Sequence, residues 1–277
     1  MKEVVIRAKT KWYDLKLKEV IEYRDLIFLF VKRNYSTRFK QTILGPAWLI
    51  ISPIFTIVTY TIVFGNIAGL STDGLPHIIF YLAGNIIWTF FSGTFNSSVY
   101  IFTNNAGIFG KIYFPRLVTL ISNTLTQAID FFIQFVLMAI LMIVYGIRGI
   151  EFNVNIWVFY LPLVLLQLGL LGMGMGIIVS SLTTKYRDLF VLVSFGLQIW
   201  MYVSPVIYSI TLVPEKYMEI FMLNPVTPAI LLFKHAFLGT SMVDMKYLII
   251  SWCVTIVSVI FGLIIFNKVE KNFMDTI

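Results

Sequence analysis

The sequence predicts an all-α integral membrane protein with six transmembrane helices, an N-terminal amphipathic interface helix and a pair of re-entrant half-helices between spans five and six. Two observations predict this class. Hydrophobic residues make up 58% of the 277 residues, charged residues make up 13%, and the mean hydropathy is +0.87. This composition is typical of a polytopic membrane protein. The basic residues also concentrate in one place, because residues 1–40 contain eleven Lys and Arg against five Asp and Glu.

The N-terminal segment, residues 1–41, is predicted to be cytoplasmic, because basic flanks stay on the inner side of a membrane. Residues 12–40 mix apolar side chains with charges at helical intervals. This pattern predicts an amphipathic helix on the inner membrane surface, in contact with membrane lipids. An ordinary solvent-exposed helix is the alternative, although residues 26–31 are very apolar for one.

The remaining residues, 42–277, contain six apolar segments that form the predicted transmembrane domain. A helix needs roughly 20 mostly apolar residues to cross the hydrocarbon core, and residues 42–68 supply them without any charge. An even number of spans returns the C-terminus to the cytoplasm, and the inner segments then hold 17 Lys and Arg against four in the outer segments. The predicted spans are 44–68, 78–102, 117–145, 156–182, 189–213 and 247–267.

Two spans carry polar or small residues at helical spacing. A small-residue face in the fourth span allows another helix to approach closely. A carboxylate in a span is costly unless it is paired or solvated. A polar stripe in the third span is therefore interpreted as a structural seam of the bundle. A role in translocation is the alternative. The small face consists of Gly169, Gly172, Gly176 and Ser180, and the stripe of Asn123, Gln127, Asp130 and Gln134.

Two apolar segments between spans five and six, residues 217–223 and 226–238, are each too short to cross a membrane. Asn224-Pro225 and Pro228 interrupt them, because proline lacks a backbone donor and restricts the residue before it. A pair of half-helices that enter from the outer face is the favoured interpretation. A hairpin that lies on the outer surface is the alternative.

The sequence predicts no catalytic site, bound cofactor or metal site in this chain. It contains no G-x-x-x-x-G-K-[ST] loop, so ATP hydrolysis by the P-loop route is excluded. His77 and His235 are far apart and lack neighbouring acids, and Cys253 is a single cysteine in an apolar segment. Because the basic charge lies beside the first span, it does not indicate nucleic-acid binding.

Several short motifs together resemble the ABC-2 type permeases of bacterial polysaccharide export, and among these the O-antigen exporters of Gram-negative bacteria. The resemblance covers nearly the whole chain, and it rests on the order and spacing of the motifs. They are Leu44-Gly45-Pro46-Ala47-Trp48, Phe64-Gly65, Lys111-Ile112-Tyr113-Phe114-Pro115-Arg116, Tyr186-Arg187-Asp188-Leu189, Ser204-Pro205-Val206-Ile207-Tyr208 and Asn224-Pro225.

The resemblance implies a homodimeric channel in the bacterial inner membrane, paired with two copies of a separate ATPase that uses ATP and Mg. Its substrate would be a lipid-linked polysaccharide, either an O-antigen or, alternatively, a capsular polysaccharide or teichoic acid. Six spans also make a small bundle, so a wide conduit forms more easily between two copies than within one. A secondary transporter and a membrane-embedded transferase are rival classes, but inverted repeats and clustered acids or histidines are missing here.

The inner loop at residues 103–116 has features of a docking element. Asn104 or Asn105 is expected to cap a short helix, Gly110 to end it, and Ile108 with Phe109 to form an apolar knob. The resemblance assigns this loop and the N-terminal helix to ATPase binding, and a structural turn is the alternative. The predicted coupling residues are Asn104, Ile108, Phe109, Lys111 and Arg116.

Stripes of aromatic and uncharged polar side chains on three spans predict the substrate path. A saccharide has apolar C–H faces and hydroxyl edges, which suit aromatic rings and neutral hydrogen-bonding groups that bind weakly and repeatedly. Core packing or interfacial belts are the alternative for each residue. The predicted conduit residues are Trp48, Phe55 and Thr59 in span one, Tyr81, Asn85, Trp88 and Phe95 in span two, and Gln198 and Tyr202 in span five.

Overall fold

The protein is a bundle of α-helices joined by short loops. The computed structural model describes residues 17–109, 114–183, 186 and 188–273. The described part of the chain forms eleven α-helices. They are α1 (Leu17–Glu22), α2 (Arg24–Phe39), α3 (Trp48–Tyr60), α4 (His77–Val99), α5 (Ile101–Phe109), α6 (Leu117–Ile147), α7 (Leu161–Thr183), α8 (Leu189–Val203), α9 (Glu215–Leu223), α10 (Thr227–Leu238) and α11 (Met245–Phe273).

Five helical segments among the described residues are long and apolar enough to cross a membrane. Each agrees with a predicted span to within a few residues, so the prediction of a polytopic helical membrane protein is confirmed. In the first of them, a 3-10 turn precedes α3 and seven π-helical residues follow it. The five segments are Gly45–Ile67, His77–Val99, Leu117–Ile147, Ile156–Thr183 and Met245–Lys268.

The fifth predicted span, residues 189–213, is not one continuous helix. Helix α8 ends after 15 residues, a length of about 22 Å, which is less than the hydrocarbon thickness. The chain turns out of the helix at Ser204, whose backbone is extended (φ −103°, ψ 145°). The physical reason is Pro205, which supplies no backbone donor and disfavours a helical residue before it. The buried residues that follow, from 204 to 207, are irregular.

The two predicted half-helices are present as α9 and α10, which meet at an angle of 100°. The chain leaves α9 at Asn224, which is extended, and Pro228 lies in the first turn of α10, where its missing N–H costs nothing. From Thr227 to Leu238 every side chain except His235 is buried. A hairpin that lies on the outer surface is therefore wrong for α10, which is part of the core.

Helix α4 forms the centre of the bundle, and α7 packs against it through glycines. A Cβ at Gly176 would lie 2.6 Å from the carbonyl oxygen of Phe95, so the predicted small-residue face is confirmed. The opposite side of α7 makes an equally close contact that the sequence analysis missed. There a Cβ at Gly174 would lie 2.8 Å from the backbone of Ser258 in α11.

Helix α2 packs along the first half of α6. The Phe30 and Phe114 rings lie 5.5 Å apart in an edge-on contact at the start of this interface. On its outer side α2 exposes Phe28 (66%) and Leu29 (59%). These exposed apolar side chains support the predicted amphipathic interface helix, and its contact with the membrane surface stays a prediction.

Candidate substrate path and cytoplasmic docking surface

The predicted conduit stripe of the first span lies on an open surface of the protomer. Trp48 is 44% and Phe55 66% exposed, and Thr59 is exposed as well. The Thr59 hydroxyl donates to the Phe55 carbonyl oxygen at 2.9 Å, so its hydrogen bond is made within α3. The stripe thus exposes aromatic rings and neutral polar groups, and the Thr59 hydroxyl already has a hydrogen-bond acceptor.

Helix α8 also exposes the predicted conduit residues Gln198 and Tyr202. The Tyr60 hydroxyl of α3 lies 3.5 Å from the Met201 sulfur, so α3 and α8 contact each other at this point. We call the exposed rings and neutral polar side chains of these two helices the open face. It consists of Trp48, Ser52, Phe55, Thr59, Ser194, Phe195, Gln198 and Tyr202.

The predicted conduit residues of the second span lie inside the protomer instead. Tyr81 is fully buried, and Asn85, Trp88 and Phe95 are each 6% exposed. The structure therefore does not bring them onto the open face. The rings of Trp88 and Phe95 lie 6.3 and 6.4 Å from the ring of Trp200, on the inner side of α8. In this arrangement the α4 residues pack against the buried side of α8, which agrees with the alternative of core packing.

A hydrogen-bond network fastens the end of α8 to the bend between α9 and α10. The Trp200 indole donates to the Asn224 side-chain oxygen at 2.9 Å, and the Asn224 amide donates to the Ser204 hydroxyl at 2.8 Å. The broken end of α8 and the bent pair therefore form one hydrogen-bonded unit.

Lys234 stabilises the irregular segment after α8, and the sequence analysis missed this role. Its ammonium group donates to the carbonyl oxygens of Pro205 (2.8 Å) and Val206 (3.1 Å), which the break at Pro205 leaves without helical partners. The side chain is 1% exposed, with the ammonium 3.6 Å from the centre of the Phe80 ring. The count of outer basic residues had included Lys234, but it lies in the buried helix α10. A lysine in an apolar segment beside a broken span was the available signal.

The predicted coupling residues are divided between surface and core. Asn104 is exposed and Ile108 is half-buried, whereas Phe109 and Arg116 are buried, and Lys111 lies outside the described residues. The Phe109 ring lies 5.1 Å from the Arg116 guanidinium. Phe109 thus packs into the protomer and does not form an exposed knob, which corrects that part of the prediction.

The expected cap of α5 is also corrected. The helix begins at Ile101, before both asparagines. Asn105 instead donates from its side chain to the Ile101 carbonyl oxygen at 2.9 Å and accepts from Arg33 of α2 at 3.1 Å. The described part of α5 extends to Phe109, and Gly110, the residue predicted to end the helix, lies outside the described residues.

The predicted polar seam of α6 is confirmed at its contact with α2. Both carboxylate oxygens of Asp130 are occupied, one by the Tyr35 hydroxyl and one by the Arg38 guanidinium, each at 2.5 Å. The Asn34 amide of α2 donates to the Asn123 side-chain oxygen at 2.9 Å. Burial and the hydrogen bond to Asp130 raise the pKa of Tyr35, so this phenol stays protonated at neutral pH. Asp130 is thus a buried carboxylate whose two oxygens both have partners on α2.

The two histidines do not come together in the fold. His77 faces Gly65 of the first span, and the His235 Nδ1 lies 2.6 Å from the Thr240 carbonyl oxygen. Within the described ranges, no group of three or more His, Cys, Asp or Glu side chains could hold a metal ion.

These features define a multi-pass helical membrane protein with one broken span, a bent helix pair and an open face of uncharged residues. The family model of the ABC-2 type transporter matches residues 25–238. The chain therefore belongs to the ABC-2 type transporter family.

Individual relatives match nearly from end to end. The chain is 27% identical over 262 residues to the O-antigen export system permease protein RfbA of Klebsiella pneumoniae, covering 94% of this chain and 98% of the relative. It is 23% identical over 263 residues to RfbA of Myxococcus xanthus, with the same shares covered. It is also 23% identical over 249 residues to the polysialic acid transport protein KpsM of Escherichia coli, covering 88% and 93%.

Proposed function

We propose that this chain is the transmembrane permease subunit of an ABC transporter that exports a lipid-linked polysaccharide of O-antigen type across the bacterial inner membrane. The observation that carries the proposal is the similarity to RfbA, which extends over 94% of this chain and 98% of that permease. Similarity over nearly the full length of both chains supports a shared role in transport, and not only a shared helix arrangement.

The energy for transport comes, in this proposal, from two copies of a separate cytoplasmic ATPase that binds ATP and Mg. The chain has no P-loop sequence of its own, which supports a partner of this kind. The exposed part of α5, with α2, is the proposed docking surface. Both chain termini are cytoplasmic in this proposal, because the basic residues concentrate in residues 1–40.

The open face is the proposed wall of the conduit, closed by the open face of a second copy. A two-fold dimer is the commonest assembly of identical chains. Residues 42–68 and 189–203, which supply the open face, contain no charged residue. Contact with lipid is unfavourable for an exposed Gln198, whereas a hydrated saccharide can form hydrogen bonds with it. The rings of Phe55 and Tyr202 suit the C–H faces of a saccharide. The lack of fixed charge allows weak contacts that release a moving polymer.

A capsular polysaccharide is the second candidate substrate, because the polysialic acid transport protein also matches 88% of this chain. The two candidates share the same export step and differ in the polymer and its lipid carrier. A teichoic acid is the remaining alternative within the same class of substrate.

Deletion of the gene in its host tests the proposal. We expect surface polysaccharide to disappear and the lipid-linked polymer to accumulate inside the cell, with both effects reversed by the wild-type gene. Mass spectrometry of the accumulated polymer then distinguishes O-antigen from capsule. Normal surface polysaccharide after deletion would contradict the proposed function.

A further inference from the structure

Asp130 is a buried carboxylate that depends on another helix for its partners. It is 4% exposed and lies about 20 Å along α6 from its first residue. A buried carboxylate is strongly unfavourable unless it is paired. Both of its partners, Tyr35 and Arg38, come from α2. We call these three residues the α2–α6 clamp.

The same helix α2 also contacts α5, part of the proposed docking surface. Arg33 donates to the Asn105 side chain of α5 at 3.1 Å, and it lies two residues before Tyr35 of the clamp. Helix α2 thus bridges α5 at one point and Asp130 of α6 at another. A movement of α2 and α5 would reach α6 through the clamp.

The next residues of α6 contact the bent helix pair. The Phe131 ring lies 6.2 Å from the Phe233 ring of α10. Phe135 lies 6.3 Å from Phe233 and 5.2 Å from Phe237. The clamp and the contact with α10 are therefore at most five residues apart on one rigid helix.

We propose that Asp130 is a positioning residue that couples nucleotide-driven movement of α2 and α5 to the bent pair α9–α10. The inference rests on the proposed ATPase partner, and it does not depend on which substrate is moved. The coupling is tested by a nucleotide-dependent response next to α10.

The response is measured as the labelling of a reporter cysteine in the loop after α10. Ser241 is exposed and becomes the reporter as Ser241→Cys, after Cys253→Ser removes the native thiol. The complex with its ATPase is labelled with a maleimide without nucleotide and after trapping with ATP and vanadate. Export is measured in parallel in cells.

Three variants are compared in this background. Asp130→Asn removes the charge at nearly constant shape, and the double variant Arg38→Asp with Asp130→Arg restores a pair with reversed signs. Glu151→Gln is the matched control, because Glu151 is an exposed carboxylate in the loop after α6, outside the proposed docking surface and the clamp. An exposed charge of this kind contributes little to stability.

We expect nucleotide to change the labelling rate about fivefold or more in wild type and in Glu151→Gln. The Asp130→Asn variant should show less than about a twofold change, and the reversed pair should recover about half of the wild-type effect. If Asp130→Asn fails to assemble with the ATPase, the reversed pair alone decides between coupling and simple folding.

An unchanged nucleotide response in Asp130→Asn would overturn the inference, and so would a reversed pair that assembles but does not respond. The absence of any response in wild type would also overturn it. The proposed function can fail while this inference holds. In that case, deletion of the gene leaves surface polysaccharide intact, but the labelling response is still lost in Asp130→Asn and recovered in the reversed pair.

Discussion

The substitution Gly84→Ala tests the packing of the broken fifth span against the central helix. A Cβ at position 84 would lie 2.3 Å from the carbonyl oxygen of Val206 and 3.0 Å from its carbonyl carbon. The obstacle is backbone, so no side-chain rotation relieves it. The Val206 segment would have to move by about 1 Å to reach an ordinary contact distance, and Lys234 would lose alignment with the oxygen it binds.

The expected cost follows from three contributions. Overpacking by one methyl group costs about 1–3 kcal/mol. Weakening the hydrogen bond from Lys234 leaves a buried carbonyl oxygen without a full partner and adds about 1–3 kcal/mol. The higher helix propensity of alanine stabilises the variant by about 1 kcal/mol. The net destabilisation is therefore about 1–5 kcal/mol.

The measurement is the apparent melting temperature of the purified protein in detergent. We expect Gly84→Ala to melt more than about 2 °C below wild type. Gly196→Ala is the control, because no atom lies within 4 Å of a Cβ at that position in α8. It should melt at the wild-type temperature or above. Equal melting temperatures for Gly84→Ala and wild type would refute the close approach of α4 and the Val206 segment.

Three further predictions concern the open face, the docking surface and the topology. Phe55→Leu should reduce surface polysaccharide about tenfold at normal protein level, whereas Phe261→Leu, at a 57% exposed position of α11, should leave it unchanged. Ile108→Asp should lower co-purification of the ATPase about tenfold. The melting temperature should change little, since Ile108 is only half-buried. An unchanged yield of the ATPase would contradict docking at α5. In a cysteine-free background, Ser71→Cys should react with an impermeant maleimide in intact cells and Thr184→Cys should not, and the opposite result would reverse the proposed orientation.

The long spans could be predicted from the sequence because length and hydropathy alone determine them. Helix α6 (Leu117–Ile147) nearly coincides with its predicted span, and α11 (Met245–Phe273) contains its predicted span and continues beyond it. The end of α8 was not predicted, although Pro205 was visible, because residues 189–213 remain apolar beyond the break. Hydropathy does not distinguish a helix from a buried irregular segment whose carbonyl oxygens are bound by a distant Lys234.

The conduit stripes show a second limit. Periodicity indicates that residues share one face of a helix, but it does not indicate what that face contacts. The stripe on α3 is open, while the stripe on α4 is buried because α4 is surrounded by other helices. Similarly, the polar stripe of α6 was visible, but the partner of Asp130 is Arg38, 92 positions away. Only the fold brings the two together.

Transport by the purified components tests the central claim most directly. The chain and its ATPase are reconstituted into proteoliposomes that contain the lipid-linked polysaccharide of the host, and the polymer that becomes accessible on the opposite face is measured. The account predicts ATP-dependent translocation only when both proteins are present, with no ATP hydrolysis by this chain alone. Translocation without the ATPase, or none with both proteins and ATP, would contradict the assignment of this chain as the permease subunit of a polysaccharide exporter.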